Sequence, residues 1–135
     1  MIKKVKILTA IAVLSLLTAC GGGGDSAPPF LSSNYGTWNG SLQQDARSTL
    51  SATLTLGPAG YDIDYRPLSN CYGQLILVSE NSVEAVFTER ITFGLQNCIT
   101  GGRVVLSKAA SNAIDFKWYD PLTNALRVVG FVVKK

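Results

Sequence analysis

The sequence predicts an all-β domain: about eight antiparallel strands in a meander that curls into a small barrel, with a two-sheet sandwich as the alternative. Three observations carry this expectation. From Asn34 onward apolar residues recur with a period of two and no amphipathic helix is legible. Gly, Pro, Asn and Asp interrupt the pattern at short intervals. The connections, roughly two to seven residues, are too short for the dozen or more residues of a parallel crossover. Closure would also pair the edge strands that an open sheet leaves free to aggregate.

The elements follow in order. A first strand runs from Tyr35 to Gln43 through Gly36-Thr37-Trp38-Asn39-Gly40. Leu50, Ala52, Leu54 and Leu56 share one face of the second, which the turn Gly57-Pro58-Ala59-Gly60 ends. Tyr61, Ile63 and Tyr65 form the apolar face of the third, opposed by Asp62, Asp64 and Arg66. The fourth spans Gly73 to Ser79 and is closed by Glu80-Asn81-Ser82. The fifth, Val83 to Phe93, places Val83, Ala85, Phe87, Ile91 and Phe93 in one register. A sixth follows Gly101-Gly102 from Arg103 to Ser107, and Ile114, Phe116 and Trp118 align in a seventh. After Asp120-Pro121-Leu122-Thr123-Asn124, the eighth runs from Leu126 to Val133 and is apolar on both faces, which suits an interior strand able to pair with the first.

The N-terminal region has a different character. Met1-Ile2-Lys3-Lys4-Val5-Lys6 is basic and Ile7 to Leu17 is apolar, the layout of a secretory signal. The apolar stretch falls short of the roughly 20 residues of a spanning helix, so an uncut membrane anchor is the weaker alternative. Leu17-Thr18-Ala19-Cys20 resembles the bacterial lipobox. That resemblance implies removal of residues 1–19 and acylation of Cys20 on its sulfur and new amino group. Two or more acyl chains, at about 0.8 kcal/mol per buried methylene, anchor a protein stably to a membrane. Gly21, rather than Asp, implies by similarity to sorted lipoproteins an outer-membrane destination in a diderm host. The expected location is thus the cell envelope. Residues 20–33, rich in Gly, Pro and Ser, read as a flexible tether, and residues 34–135 as one β domain.

Charge and composition exclude several classes of function. The chain carries 12 Lys+Arg against 9 Asp+Glu. Lys3, Lys4 and Lys6 belong to the leader, and without them basic and acidic side chains balance, which removes the electrostatic warrant for nucleic acid. There is no histidine, hence no Ser-His or Cys-His dyad and no imidazole ligand. No cofactor motif is legible: Gly101-Gly102 lacks the lysine and helix of a phosphate loop, and Asp62 with Asp64 lacks further calcium ligands. The expected protein is therefore non-enzymatic, binding a small ligand or an envelope protein. An inhibitor of lysozyme or protease, or a structural envelope component, are the alternatives.

With Cys20 acylated, Cys71 and Cys98 remain as an even pair in an exported chain, which favours a disulfide. A redox pair would want C-x-x-C spacing, and a zinc site more ligands. Glu89 breaks the apolar register of the fifth strand between Phe87 and Ile91. An inward carboxylate must find partners or a proton. Arg103, Arg127, Tyr65 and the Trp38 indole are the candidates. The outcome is either an internal ion-pair or hydrogen-bond network, or a polar anchor on the floor of a ligand cavity.

Gly36-Thr37-Trp38-Asn39-Gly40, Cys71-Tyr72-Gly73-Gln74-Leu75, Phe87-Thr88-Glu89-Arg90-Ile91, Cys98-Ile99-Thr100-Gly101-Gly102 and Phe116-Lys117-Trp118 together resemble a small extracytoplasmic β domain of bacterial lipoproteins and of some bacterial receptor kinases. The resemblance spans nearly the whole chain beyond the leader. It implies a Cys71–Cys98 bridge and a structural or ligand-binding role for Glu89, and carries no activity. The Gly-x-Trp opening at Gly36 is also similar to that of lipocalins, which are longer chains.

Overall fold

A computed structural model describes residues 27–66 and 69–135. The leader, Cys20 and the first part of the expected tether lie outside the described residues. Eight antiparallel strands close into a barrel in chain order: β1 (Gly36–Gln44), β2 (Ser48–Gly57), β3 (Gly60–Asp64), β4 (Tyr72–Glu80), β5 (Glu84–Phe93), β6 (Arg103–Ala110), β7 (Ala113–Tyr119) and β8 (Leu126–Lys134). The barrel, not the sandwich, is the architecture. The closing seam pairs β1 with β8, Gly40 opposite Val132 and Leu42 opposite Gly130. Small and large residues thus alternate across the seam. A Cβ on Gly40 would fall 2.1 Å from the Phe131 carbonyl oxygen, so the close approach of the two strands requires glycine there.

Period two sorts the side chains. Trp38, Leu42, Leu54, Leu56, Ile63, Phe87, Leu106, Ile114 and Phe116 are all buried in a single core. The outer faces of β1 to β5 carry polar residues such as Ser41, Gln43, Thr55, Gln74, Thr88 and Arg90. Two details add to the sequence pattern. Val83 and Phe93 share the register of Ala85 and Phe87 yet are exposed, because they lie at or beyond the ends of β5 where the barrel wall stops. The eighth strand does pair on both edges, but its outer residues Val129, Phe131 and Val133 remain exposed, since pairing along the edges covers nothing on the face.

The fold also begins earlier than the Gly, Pro and Ser content of residues 20–33 suggested. A single helical turn, α1 (Phe30–Ser33), follows Pro29, whose carbonyl accepts hydrogen bonds from the Ser32 and Ser33 hydroxyls. Phe30 and Leu31 are buried, and the Phe30 N–H donates to the Asn81 carbonyl at 2.8 Å. The Leu31 N–H donates to Glu80 Oε2 at 3.1 Å. Asn34 continues the plug: its Nδ2 donates to the Phe30 carbonyl at 2.6 Å, and its own carbonyl accepts the Trp38 indole N–H at 3.0 Å. One turn is too short to show a helical period, but its two apolar residues seal the end of the barrel where β4 passes into β5. The opposite end, formed by the β1–β2, β3–β4, β5–β6 and β7–β8 connections, is the mouth.

Candidate functional site: a carboxylate on the floor of the barrel mouth

A cavity of about 180 Å³ opens at the mouth and is walled by Leu50, Ile91, Ile99 and Val128. Glu89, Tyr65 and Trp118 also line it. Strand alternation dictates the inward direction of Glu89: Phe87, Glu89 and Ile91 are successive inward positions of β5. Residue 89 is 2% exposed. Its backbone is held by the loop that follows β5, with its N–H donating to the Gly102 carbonyl and its carbonyl accepting the Gly101 N–H, both at 2.8 Å.

Each carboxyl oxygen has one neutral donor. The Tyr65 hydroxyl donates to Oε2 at 2.6 Å, and the Trp118 indole N–H donates to Oε1 at 3.0 Å. Among the described residues no cation pairs with Glu89, so the arrangement is a hydrogen-bond network and not an ion pair. Burial lifts its carboxyl to about 7, against the opposing pull of these two hydrogen bonds. Burial, followed by the neighbouring charge of Glu89, pushes the Tyr65 hydroxyl well above its ordinary range and keeps it a donor. Each oxygen of Glu89 retains acceptor capacity beyond its one protein donor, and the side chain reaches the cavity surface.

Of the residues expected around Glu89, only Tyr65 bonds to it. Trp38 lies at the sealed end, bonded to Asn34. Arg103 is exposed, stacked over the Tyr119 ring at 4.1 Å and bonded to Asn124. Its position in β6 alternates outward, since Gly102 and Val104 take the buried register. Arg127 lines the cavity but its guanidinium is paired with Asp45 at 2.6 Å and Asp120 at 3.2 Å rather than with Glu89. Asp120 in turn accepts the N–H groups of Leu122 and Thr123, which, led by Leu122, hold its carboxyl below the usual range.

Trp118 is the partner that the sequence aligned with Ile114 and Phe116 but did not link to Glu89. Its inward register beside Phe116 was legible; its closeness to Glu89 depends on barrel closure. Gly102 makes that contact possible, because a Cβ there would lie 2.1 Å from Trp118 Nε1. Gly102→Ala is therefore expected to displace the indole, destabilise the fold by roughly 1 to 3 kcal/mol and shift the Trp118 indole N–H resonance upfield as its acceptor is lost. Chemical denaturation and a heteronuclear spectrum check both. The disulfide Cys71–Cys98 forms, with Cα atoms 6.4 Å apart, and Cys98 joins the cavity wall. Asp64, considered for calcium, is paired with Arg66 at 2.7 Å outside the cavity.

Fold and site together define an eight-stranded antiparallel barrel, sealed at one end and hollow at the other, with a buried carboxylate on the floor of the hollow. No protein-family model, no curated protein and no solved structure shows a significant match to this chain.

Proposed function

We propose that the chain is a lipid-anchored, non-enzymatic envelope protein whose barrel mouth holds a small apolar ligand through a hydrogen bond to Glu89. The observation that carries this reading is the hollow at the mouth, where Glu89 faces apolar walls, while Phe30 and Leu31 are buried at the opposite end. A structural component would have no reason to leave a buried carboxylate facing a void. Leu50, Ile91, Ile99 and Val128 favour an apolar body, and the free acceptor capacity of Glu89 favours a head that donates, a hydroxyl or an ammonium. Arg127 adds no net attraction for anions, because Asp45 and Asp120 flank it. Two tests apply. Labelled palmitate should enter the wild type and not Cys20→Ser; label in neither would overturn the anchoring. For the cavity, cyclohexanol, cyclohexylamine and cyclohexanecarboxylate are titrated at pH 8 while the two indole N–H resonances are followed. The first two probes should shift Trp118 saturably and leave Trp38 unmoved, with the carboxylate at least tenfold weaker. No shift with any probe would overturn the ligand reading.

A protein partner at the same mouth is the second reading. Leu95, Ile99 and Leu122 stand exposed on the β5–β6 and β7–β8 connections, an apolar rim of the kind protein interfaces cover. Tight inhibition of a lysozyme or a protease by the intact protein would favour that reading.

A further inference from the structure

We infer that the sealed end of the barrel rests on the membrane surface, with Ile76, Val78 and Val83 as the contact with phospholipid. The inference rests on the lipid anchor at Cys20 and adds an orientation to it. Val78 and Val83 are 64% and 59% exposed and Ile76 is 47% exposed, three apolar side chains flanking the β4–β5 turn. The barrel wall is also incomplete here: β3 pairs with β4 only from Tyr72 to Gln74, so beyond Gln74 the edge of β4 has no strand beside it. Such an edge ordinarily invites another strand. The register shift between Leu77 and Ser79 and the charge of Glu80 spoil it as a template, leaving an apolar crest rather than a pairing edge.

Where the chain enters the fold decides what covers that crest. The Phe30 N–H is bonded to Asn81, and Leu31 to Glu80, so the polypeptide arrives beside the β4–β5 turn that separates Val78 from Val83. About ten residues separate Cys20 from Phe30, a reach of at most roughly 35 Å when fully extended. An acylated Cys20 therefore holds the sealed end, and not the mouth, at the bilayer. Lys108, Lys134 and Lys135 lie at the same end, where the Lys108 ammonium bonds Asn34 and the Lys135 N–H bonds Thr37. Among the described residues Glu80, Glu84 and Asp115 are the acidic groups there; Glu80 is turned to the Leu31 N–H and Asp115 is paired with Lys117 at 3.7 Å. The balance favours an anionic leaflet. The contact is interfacial, because the open backbone edge of β4 must stay hydrated among headgroups. This orientation points the Glu89 cavity away from the membrane.

The test joins the chain from Cys20 to Lys135, through the Cys20 thiol, to a maleimide phospholipid in nanodiscs of phosphatidylglycerol and phosphatidylcholine carrying a nitroxide headgroup lipid. The chemical link makes the result independent of whether the cell acylates Cys20, which the palmitate experiment reads separately. Amide signals of Ile76, Val78 and Val83 should relax at least fivefold faster than those of Leu122 and Leu126. Replacing all three with serine should abolish the difference. Uniform relaxation, or faster relaxation at the mouth, would overturn the orientation. So would concentration-dependent broadening of the same three amides without lipid, which would assign the crest to a second copy of the chain.

Discussion

Glu89→Leu is expected to lower the unfolding free energy at pH 5 by roughly 2 to 5 kcal/mol, because the Tyr65 hydroxyl and the Trp118 indole N–H both lose their acceptor within the core. The same variant should show little deficit at pH 8, and the sign follows from linkage. Burial raises the folded-state carboxyl from 4.5 to about 7. The native state thus binds the proton more tightly than the unfolded chain does. Its contribution to stability is complete below about 4.5, is lost as pH rises through 7, and amounts to about 3 kcal/mol across that window. With no histidine in the chain, few other groups titrate there. Urea unfolding at pH 5, 6, 7 and 8 should show the wild type weakening while Glu89→Leu stays flat. Parallel curves would mean that the carboxyl is hydrated and not buried.

Removing the disulfide is expected to have an effect of the same size. Cys71→Ala with Cys98→Ala should cost about 3 to 4 kcal/mol on the chain-entropy model, given a sequence separation of 27 residues. Position adds a second consequence. The bridge ties the entrance of β4 to the connection that carries Asn97, Cys98 and Ile99 along the cavity wall. Its loss should loosen that wall and weaken binding of cyclohexanol by more than the local packing change alone would. Urea denaturation with and without reductant provides the check: the reduced wild type should unfold with the double variant, and the oxidised wild type at substantially higher urea. Coincidence of all three curves would remove the bridge from the stability account.

Much of the barrel was legible because period two acts locally. Leu54, Ile63, Phe87 and Phe116 point inward for the same reason that their neighbours point outward, and short connections leave antiparallel pairing as the simple outcome. Glu89 was legible as an anomaly in that pattern. Its partners were not, because proximity across a closed barrel depends on stagger between strands distant in sequence. Trp38 and Trp118 look equivalent in the sequence, yet closure sends one to the sealed end and the other to the carboxylate. Arg103 and Arg127 were plausible counter-charges, but one faces outward and the other is claimed by Asp45 and Asp120. Phe30 and Leu31 were hidden by their setting of Pro and Ser, where a single helical turn leaves no periodic trace.

The claim that Glu89 is a buried carboxylate offered to a ligand is tested most directly by the NMR titration of its side-chain carboxyl carbon, with and without saturating cyclohexylamine. The expected midpoint is near 7 in the free protein. It should fall by about one unit or more when the ammonium is bound, which corresponds to roughly tenfold tighter binding to the ionised form. A midpoint in the ordinary glutamate range, unmoved by the amine, would contradict both the burial of the group and its role in the cavity.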